Sequence, residues 1–448
     1  MKNSINNMKR DVLRSPFVMN VGITFLARIV ALFFGISTYI LIARLLGPEG
    51  KGVFTLVILL PTFIVMFTNL GVGPATVFYT AKQRYSYREI LGSNTLLALL
   101  AGMFGIVCGL VVIFYFRQVF FKGVKRNYLL FSLAIIPANL FYIYFQNIIL
   151  GMQRMKVYNI VDILRVTSLL SFILVTVWFF KWGVNGAILS WLLAWVLLDI
   201  ILFFYLLKMA NGISLKLNGS YIKNAFKYGI QAHFGNILGF LNYRIDMFLV
   251  NGFLNSMAVG FYSVAVELAE RLWLLSQAAG LVLFPKVAAE TGKDKHVDIT
   301  PLVTRTVFFL TLIGGIIFAA VSRWIVLFLY SPAYLPAVIP LLLLIPGVIF
   351  FSIARVMAND LAGKNRVLFN VYAVGLTVLV NVILNVSWIP CFGIRGAAFA
   401  STVSYVFNML FTMIFYCHFS GNSWKTLIFP QEGDFHLYRQ IVGKILRM

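Results

Sequence analysis

Seven charged side chains stand inside long apolar segments of this sequence, where they could do chemistry. They are Arg28, Arg244, Asp246, Glu267, Glu270, Arg271 and Arg355. An ionisable group at the centre of a membrane costs at least about 2.5–3.5 kcal/mol on insertion scales, so it usually faces a cavity or a partner. Arginine binds phosphate through paired, charge-assisted hydrogen bonds, and a carboxylate can neutralise an arginine or exchange protons. These residues are therefore the candidate site.

A glycine-rich stretch at residues 43–54, ARLLGPEGKGVF, raises a separate possibility, a nucleotide-phosphate loop. Such a loop needs Gly, four residues, Gly-Lys and then Ser or Thr. Here Leu45 stands five positions before Gly50, and Gly52 follows Lys51. The motif fails at both ends, so we predict an outer turn between two helices, with Lys51 in water.

The composition identifies an integral membrane protein. Charged residues make up 11% of the chain and hydrophobic residues 61%, whereas ordinary soluble domains carry about 25% charged residues. The formal net charge of +23 is spread over short loops, which argues against a nucleic-acid partner. The three cysteines lie far apart, which argues against a disulfide framework or a zinc site. We predict no metal and no cofactor.

Apolar runs long enough to cross a hydrocarbon core predict an all-α membrane protein with about twelve transmembrane helices. We place the helices at 17–43, 52–80, 90–116, 128–150, 157–180, 184–207, 229–253, 257–285, 302–321, 338–360, 367–388 and 394–418. Lysine and arginine in short loops stay preferentially in the cytoplasm. Most of them fall on the side that carries both termini, the loop from Arg117 to Arg126 being the exception, so we predict cytoplasmic termini.

Three internal matches predict two homologous halves of six helices. They are GVNGAILS at Gly183 with GIRGAAFAS at Gly393 (210 positions apart), Pro137 with Pro346 (209 apart), and GVFTLV at Gly52 with GFYSVA at Gly260 (208 apart). An even number of helices per half makes the repeats parallel, as in several transporter folds. We therefore predict an N-lobe of residues 1–210 and a C-lobe of residues 211–448 with a short cytoplasmic tail, around a central cleft.

Two stretches resemble a known family. ARLLGPEGKGVF, followed by a long helix and LGVGPA at Leu70, resembles the first hairpin of bacterial oligosaccharide flippases. YRIDMFLVNGFLNSMAVGFYSVAVELAERLW, at residues 243–273, resembles the family's seventh-helix aspartate, short outer turn and eighth helix. These flippases form the polysaccharide-transporter branch of the superfamily of multidrug and toxin extrusion (MATE) transporters and the lipid II flippase. The resemblance implies a MATE-like fold whose lobes alternate between inward-open and outward-open states, although many members have fourteen helices.

The resemblance also implies a cargo and a location. A member of this family would pass a polyprenyl-pyrophosphate-linked oligosaccharide across the bacterial cytoplasmic (inner) membrane, for biosynthesis of O-antigen, capsule or exopolysaccharide. The implied partners are that glycan, the membrane lipids and the polysaccharide polymerase machinery. We expect a monomer.

Roles for the charged residues follow from the implied fold, in which the first, second, seventh and eighth helices line the cleft. This sets Arg28 and Arg271 across one cavity, suited to a pyrophosphate. Alternatively each pairs with a carboxylate, and Glu267 precedes Arg271 by four residues on the same helix face. Glu267 and Glu270 flank this site and could couple flipping to protons, or Glu267 could only neutralise Arg271 until substrate arrives, and we favour the ion pair.

The other candidates also have two interpretations. Asp246 matches the family's aspartate and either gates the cleft or is a structural partner of Arg244 or of a loop donor. Arg244 and Arg355 are assigned to substrate binding. Arg355, whose counterpart in the first half is Gln146, could instead extend to the membrane surface. Elsewhere we expect local roles, with Asp162 paired to Arg165, and with Asp199 and Asp360 capping helices or paired to Lys208 and Lys364.

Two alternative functions remain open. A MATE-type drug or cation antiporter would favour an acidic, aromatic pocket, whereas the deep charges here lean to arginine. A membrane glycan polymerase, ligase or glycosyltransferase would need a large outer loop or an acidic catalytic motif, which the sequence lacks. We therefore predict a transporter, not an enzyme.

Overall fold

The computed structural model describes residues 16–289, 299–431 and 434, and these residues are almost entirely helical. The helices are α1 (Pro16–Thr68), α2 (Val72–Ala81), α3 (Tyr87–Val111), α4 (Arg126–Ser132), α5 (Ile135–Gly151), α6 (Met155–Ile173), α7 (Gly183–Met209), α8 (Gly219–Phe253), α9 (Ser256–Ala269), α10 (Leu274–Ala289), α11 (Thr300–Leu329), α12 (Val338–Gly363), α13 (Val367–Phe392), α14 (Ile394–Ser420) and α15 (Trp424–Ile428). The shorter turns are π-helical at Val112–Phe116 and Leu174–Phe179, α-helical at Arg117–Phe120, and 3₁₀ at Glu270–Trp273 and Pro332–Ala337. The predicted all-α class is confirmed.

Within the described ranges, nine helical segments are long and apolar enough to cross a membrane. The first two predicted spans, 17–43 and 52–80, both overlap one of them, Leu26–Thr68, and the second runs beyond it into α2. The predicted spans 229–253 and 257–285 fall outside the nine; α8 is less apolar, and the second of these spans is divided among α9, a 3₁₀ turn and α10. The protein is a multi-pass membrane protein, but the number of twelve crossings is not confirmed.

The glycine-rich stretch is a sharp turn inside α1. Gly47 has φ 67° and ψ 177°, a backbone conformation that glycine adopts without steric cost. Pro48 begins the arm that follows, where its missing N–H is no loss. The prediction that Lys51 lies in water is wrong, because its side chain is fully buried and its Nζ lies 4.6 Å from the centre of the Tyr39 ring. The Tyr39 ring, in the first arm of α1, therefore faces the ammonium group of Lys51 in the second arm.

The second half repeats this construction. Asn255 stands 208 positions after Gly47, and its side-chain oxygen accepts a hydrogen bond of 2.9 Å from the Ala258 N–H to cap α9. Gly183 and Gly393, which stand at the starts of α7 and α14, have φ of 55° and 60°. Breaks between helices therefore recur in the second half at the spacing that the sequence matches predicted.

Close helix packing repeats as well. A side chain added at Gly105 would meet Ile136 at 2.7 Å, and one added at Gly315 would meet Ile345 at 3.2 Å. Gly315 stands 210 positions after Gly105, and Ile345 stands 209 positions after Ile136. The corresponding two helices therefore approach closely in each half. The geometry supports the internal repeat.

Contacts between residues divide the chain into two compact units, unit 1 up to Ile237 and unit 2 from Leu238. The interior of unit 1 contains a polar network in which Tyr221 donates to Asn94 Oδ1 at 2.9 Å, and Asn94 donates to Thr76 Oγ1 at 3.1 Å. The lobe boundary at residue 210 and the central cleft stay predictions.

The described part of the C-terminal tail is tied to α11. Arg305 donates from Nη2 to Asp434 Oδ1 at 2.6 Å and from Nε to Oδ2 at 2.7 Å. These bonds hold the pKa of the Asp434 carboxyl below its usual range. The N-terminal residues and the rest of the tail, where we predicted cytoplasmic termini, lie outside the described residues.

Candidate functional site

The charged residues of unit 2 converge on the junction of α8 with α9. Arg244, on α8, forms an ion pair with Glu270, which begins the 3₁₀ turn after α9. Nη1 donates to Oε1 at 2.7 Å and Nη2 donates to Oε2 at 3.1 Å. The two side chains are 30% and 20% exposed. Two parallel bonds of this kind fix orientation as well as distance.

The ion pair that we favoured between a carboxylate and Arg271 is wrong in this structure. Residues four apart such as Glu267 and Arg271 share a face in an unbroken α-helix, but α9 ends at Ala269 and a 3₁₀ turn follows. A 3₁₀ turn has about 3.0 residues per turn instead of 3.6, which moves the arginine off the glutamate's face. Among the residues that the structure describes, Arg271 is half-buried and forms no ion pair. Glu267 lies within electrostatic reach of Tyr334.

Asp246 joins three helices of unit 2. Its side chain is 2% exposed, and its Oδ2 accepts hydrogen bonds from the Tyr262 hydroxyl at 2.5 Å and from the Ser401 hydroxyl at 3.3 Å. Its Oδ1 accepts from the Met247 N–H at 2.8 Å. Since Tyr262 lies on α9 and Ser401 on α14, the carboxyl group links both helices to α8. Its hydrogen bonds go to these groups rather than to Arg244.

An aromatic cluster lies beside these charges. The Trp273 ring centre lies 5.3 Å from that of Tyr243, 5.4 Å from that of Phe351 and 5.8 Å from that of Tyr405. Arg355, on α12, holds its guanidinium carbon 5.3 Å from the centre of the Trp273 ring. This is a cation–π distance, so Arg355 is anchored on the cluster and its side chain is half-buried.

Arg28 is the one candidate in unit 1. It lies in the first arm of α1 with an exposed side chain, within electrostatic reach of Tyr158 on α6. It makes no ion pair with any of the described residues. Because Arg28 and Arg271 belong to different units, their placement on one cavity stays a prediction.

Unit 1 has an aromatic pair at the place equivalent to the cluster of unit 2. The ring centres of Tyr142 and Trp195 lie 4.7 Å apart, and those of Phe351 and Tyr405 lie 5.1 Å apart. The residues correspond at shifts of 209 and 210 positions. Arg165 lies 5.9 Å from the Trp195 ring centre, so each unit sets an arginine against its aromatic pair or cluster.

The expected local ion pairs form in two cases out of three. Their distances are 2.9 Å between Arg165 Nη2 and Asp162 Oδ1, and 2.8 Å between Lys364 Nζ and Asp360 Oδ1. The proposed partner of Asp199 is wrong, because Lys208 lies nine residues further along α7, about 13 Å at 1.5 Å per residue. Asp199 Oδ1 is buried and has no hydrogen-bond partner among the described residues.

Sequence reasoning missed the hydroxyl partners of Asp246. Tyr262 could have been found, because Asp246 and Tyr262 stand nine residues before and seven residues after the cap at Asn255, and a helical hairpin brings such positions together. Ser401 carried no such local signal, since it lies on a helix distant in sequence. The arrangement can hold an anion at an arginine released from its carboxylate, and it can take up a proton at a hydrogen-bonded carboxyl group.

Comparisons with known proteins agree with this fold. A family model described as "Polysaccharide biosynthesis protein" matches residues 17–291, and a model described as "MatE" matches residues 232–387. A solved structure titled "Lipid II flippase MurJ, inward closed conformation" superimposes with a TM-score of 0.72, at 15% identity, over 89% of this chain and 87% of that one. At that identity the likeness concerns the fold.

Two archaeal relatives are similar in sequence. An uncharacterised membrane protein of Methanocaldococcus jannaschii is 26% identical over 84% of this chain and 79% of its own length. The "Probable low-salt glycan biosynthesis flippase Agl15" of Haloferax volcanii is 27% identical over 44% of this chain. That alignment covers 43% of Agl15, less than half of its length.

Proposed function

Because the chain belongs to the polysaccharide biosynthesis protein family, we propose that it flips a polyprenyl-pyrophosphate-linked oligosaccharide across the bacterial cytoplasmic membrane by alternating access. It is a membrane transporter and not an enzyme. The translocated repeat unit would serve the synthesis of a cell-surface polysaccharide such as O-antigen, capsule or exopolysaccharide. The relative named as a glycan flippase and the MurJ-like fold support this proposal.

The observation that carries the proposal is a pair of arginines in apolar helices without a carboxylate partner among the described residues. Arg28 lies on α1 and Arg271 in the turn after α9. An arginine at such a position is costly unless it meets an anion. A pyrophosphate supplies two adjacent anionic groups, and guanidinium groups bind each of them through paired hydrogen bonds. Arg28 and Arg271 are therefore assigned to the pyrophosphate.

The remaining candidates are assigned to substrate contact and coupling. Arg244 is held by Glu270, and Arg355 by an aromatic ring, so each could turn to the substrate when the lobes rearrange. Asp246, Glu267 and Glu270 are assigned to coupling or gating. A proton on Asp246 would weaken its acceptance of the two hydroxyl bonds that join α8 to α9 and α14.

A MATE-type antiporter is the second candidate. The match of the MatE model to residues 232–387 and the buried carboxylate at Asp246 favour it. Such a protein would export an organic cation in exchange for protons or sodium. Carboxylates, rather than Arg28 and Arg271, would then carry the cargo.

A transport assay with two cargoes separates the candidates. The purified protein is reconstituted into vesicles that contain a fluorescent polyprenyl-pyrophosphate oligosaccharide in one arm and a fluorescent organic cation in the other. We expect wild type to move the lipid-linked glycan between leaflets and to leave the cation distribution unchanged. Cation exchange driven by a proton gradient, without glycan movement, would establish the antiporter instead.

We further propose that the termini face the cytoplasm, that the protein acts as a monomer, and that polysaccharide polymerase machinery receives its product. The distribution of basic residues over the loops supports the orientation. Cysteines introduced one at a time at Lys122 and at Lys216, in a variant whose Cys108, Cys391 and Cys417 are replaced by serine, test it by labelling in intact cells. A reagent that cannot cross the membrane should reach the first cysteine and not the second.

A further inference from the structure

A charged pocket in unit 2 lies away from the candidate site. It is a cavity of about 200 Å³ where α12 ends, α13 begins and α14 ends. Its lining includes Asp360, Lys364, Arg366, Tyr416, Phe419 and Ser420. A water molecule takes about 30 Å³ in the liquid, so the cavity has room for a phosphate group with part of an attached alcohol. We propose that this pocket binds the phosphate of an anionic membrane lipid, a proposal that does not depend on the proposed function.

The charges of the pocket leave a cation available. Asp360 is already engaged, with its Oδ1 2.8 Å from Lys364 Nζ and its Oδ2 accepting from the Thr300 hydroxyl at 2.5 Å. The guanidinium of Arg366 lies 4.7 Å from the centre of the Phe419 ring, and this contact uses no hydrogen-bond acceptor. Arg366 forms no ion pair among the described residues. Its N–H groups can therefore bind an anion.

The helix dipoles favour the position of Lys364 but disfavour that of Arg366. Lys364 follows the carboxyl end of α12, where a positive charge is favourable. Arg366 immediately precedes the first residue of α13, where the helix dipole disfavours a positive charge. A bound phosphate removes this conflict, because the arginine and the first N–H groups of the helix then face the same anion.

The surface below the pocket favours a lipid over a soluble phosphate. The first turns of α13 expose large apolar side chains on one face, including Leu368 at 60%, Tyr372 at 55% and Leu379 at 61%. This face descends from Arg366 along a helix long and apolar enough to span the membrane. A phosphate held in the pocket would therefore let its acyl chains lie along this face.

The equivalent loop of unit 1 retains the arginine and lacks the rest of the pocket. The helix ends match at a shift of 212 positions, so Arg154, which immediately precedes α6, stands where unit 2 has Arg366, and Met152 stands where it has Lys364. The positions of Asp360, Tyr416 and Phe419 are taken by Ile148, Leu206 and Met209. The carboxylate and the aromatic walls are therefore features of unit 2, and the unit 1 loop supplies a matched control.

Unfolding temperature in detergent tests the proposal. The full chain, purified in a neutral detergent, is titrated with phosphatidylglycerol, with phosphatidylcholine and with inorganic phosphate. We expect phosphatidylglycerol to raise the unfolding temperature of wild type by about 3 °C more than phosphatidylcholine does. Lys364→Gln/Arg366→Gln should lose this difference, and Arg154→Gln, which changes the counterpart of Arg366 in unit 1, should keep it.

The single variant Arg366→Gln keeps the test valid if the double variant misfolds, because it leaves the contact between Lys364 and Asp360 in place. It should lose at least half of the phosphatidylglycerol effect. An undiminished effect in Arg366→Gln, an equal loss in Arg154→Gln, or no difference between the two lipids would overturn the proposal. A full shift with inorganic phosphate alone would assign the pocket to a soluble phosphate and would also overturn it.

Discussion

The same junction is built from apolar rings in unit 1 and from hydrogen-bonded polar groups in unit 2. In unit 1 the rings of Phe54 and Trp191 meet with their centres 5.8 Å apart. The residues 208 and 210 positions later are Tyr262 and Ser401, whose hydroxyl oxygens lie 3.1 Å apart and both bond to Asp246. The same helical arrangement thus accommodates either an aromatic contact or a hydrogen-bonded carboxyl group. Of these two junctions, the one in unit 2 contains a group that can be protonated.

The first helix of each half shows the same difference. Thr38 stands 208 positions before Asp246, and its hydroxyl donates to the Phe34 carbonyl of its own helix at 2.8 Å. That hydrogen bond lies within a single helix, whereas the Asp246 carboxyl group links three helices. Unit 2 therefore depends on a polar group for packing at a place where unit 1 depends on side-chain contact.

Removing the carboxyl group should have the largest effect. Asp246→Ala leaves two buried hydroxyls and a backbone N–H without their acceptor, which we expect to cost at least about 3 kcal/mol of unfolding free energy. Thr38→Ala should cost under about 1 kcal/mol, since it removes one local bond. The unfolding temperature in detergent measures both losses. Equal losses would contradict the inference that unit 2 depends on a polar group here and unit 1 does not.

The ion pair between Arg244 and Glu270 should contribute less. A double-mutant cycle with Arg244→Ala and Glu270→Ala should give a coupling free energy of about 1–2 kcal/mol, since two bonds are lost but both groups retain some exposure. The pair of Arg165 with Asp162 in unit 1, three residues apart on one helix, should give about 0.3–0.5 kcal/mol. A larger coupling in the unit 1 pair would contradict this ranking.

Asp199 offers a test in the opposite direction, because unit 1 here carries the polar residue and unit 2 the apolar one. The residue 210 positions later is Met409. Asp199→Met removes a buried oxygen that has no partner among the described residues, so it should raise the unfolding free energy by about 1 kcal/mol. The variant Asp199→Asn, which keeps the polarity, should stay close to wild type. A loss of stability in Asp199→Met would show that the carboxyl group has a partner in the working protein.

The smallest effect concerns the segments that follow the sixth and twelfth predicted helices. Arg305 binds the Asp434 carboxylate, whereas Arg88 donates to the backbone carbonyls of Ala210, at 3.0 Å, and Asn211. Because the folded pKa of Asp434 is lowered, its contribution is present above the unfolded pKa of about 3.9 and is lost as pH falls through the folded pKa. Stability should therefore fall below about pH 4, and Asp434→Asn should flatten that fall.

Arg88→Gln supplies the control for this pH dependence. Carbonyl groups do not titrate, so Arg88→Gln should lower stability equally at pH 7 and pH 4. An unchanged acid-induced loss in Asp434→Asn would assign that loss to other carboxyl groups.

Patterns of residue type predicted the elements of this fold well. Apolar runs predicted helices, and the matches at Gly183 and Gly393 predicted a repeat that recurs in backbone dihedrals. The charges inside apolar segments predicted where unusual contacts occur, and four of them, Arg244, Asp246, Glu270 and Arg355, cluster in unit 2.

The partners of those charges could not be predicted, for local reasons. The 3₁₀ turn after Ala269 changes the helical phase, so that Glu270 meets Arg244 and Arg271 moves off the face of Glu267. Lys51 is buried with its ammonium group against the Tyr39 ring, on the other side of the turn at Gly47. Both depend on backbone geometry over a few residues, which hydrophobic periodicity does not record.

The rate of transbilayer movement of a fluorescent polyprenyl-pyrophosphate oligosaccharide in reconstituted vesicles tests the central claim most directly. Wild type should flip the lipid, Arg28→Ala/Arg271→Ala should be slower by at least about tenfold, and the control Arg154→Ala/Lys156→Ala should match wild type. Ordinary flipping by the first double variant would contradict the assignment of Arg28 and Arg271 to the pyrophosphate, and no flipping by wild type would contradict the function itself.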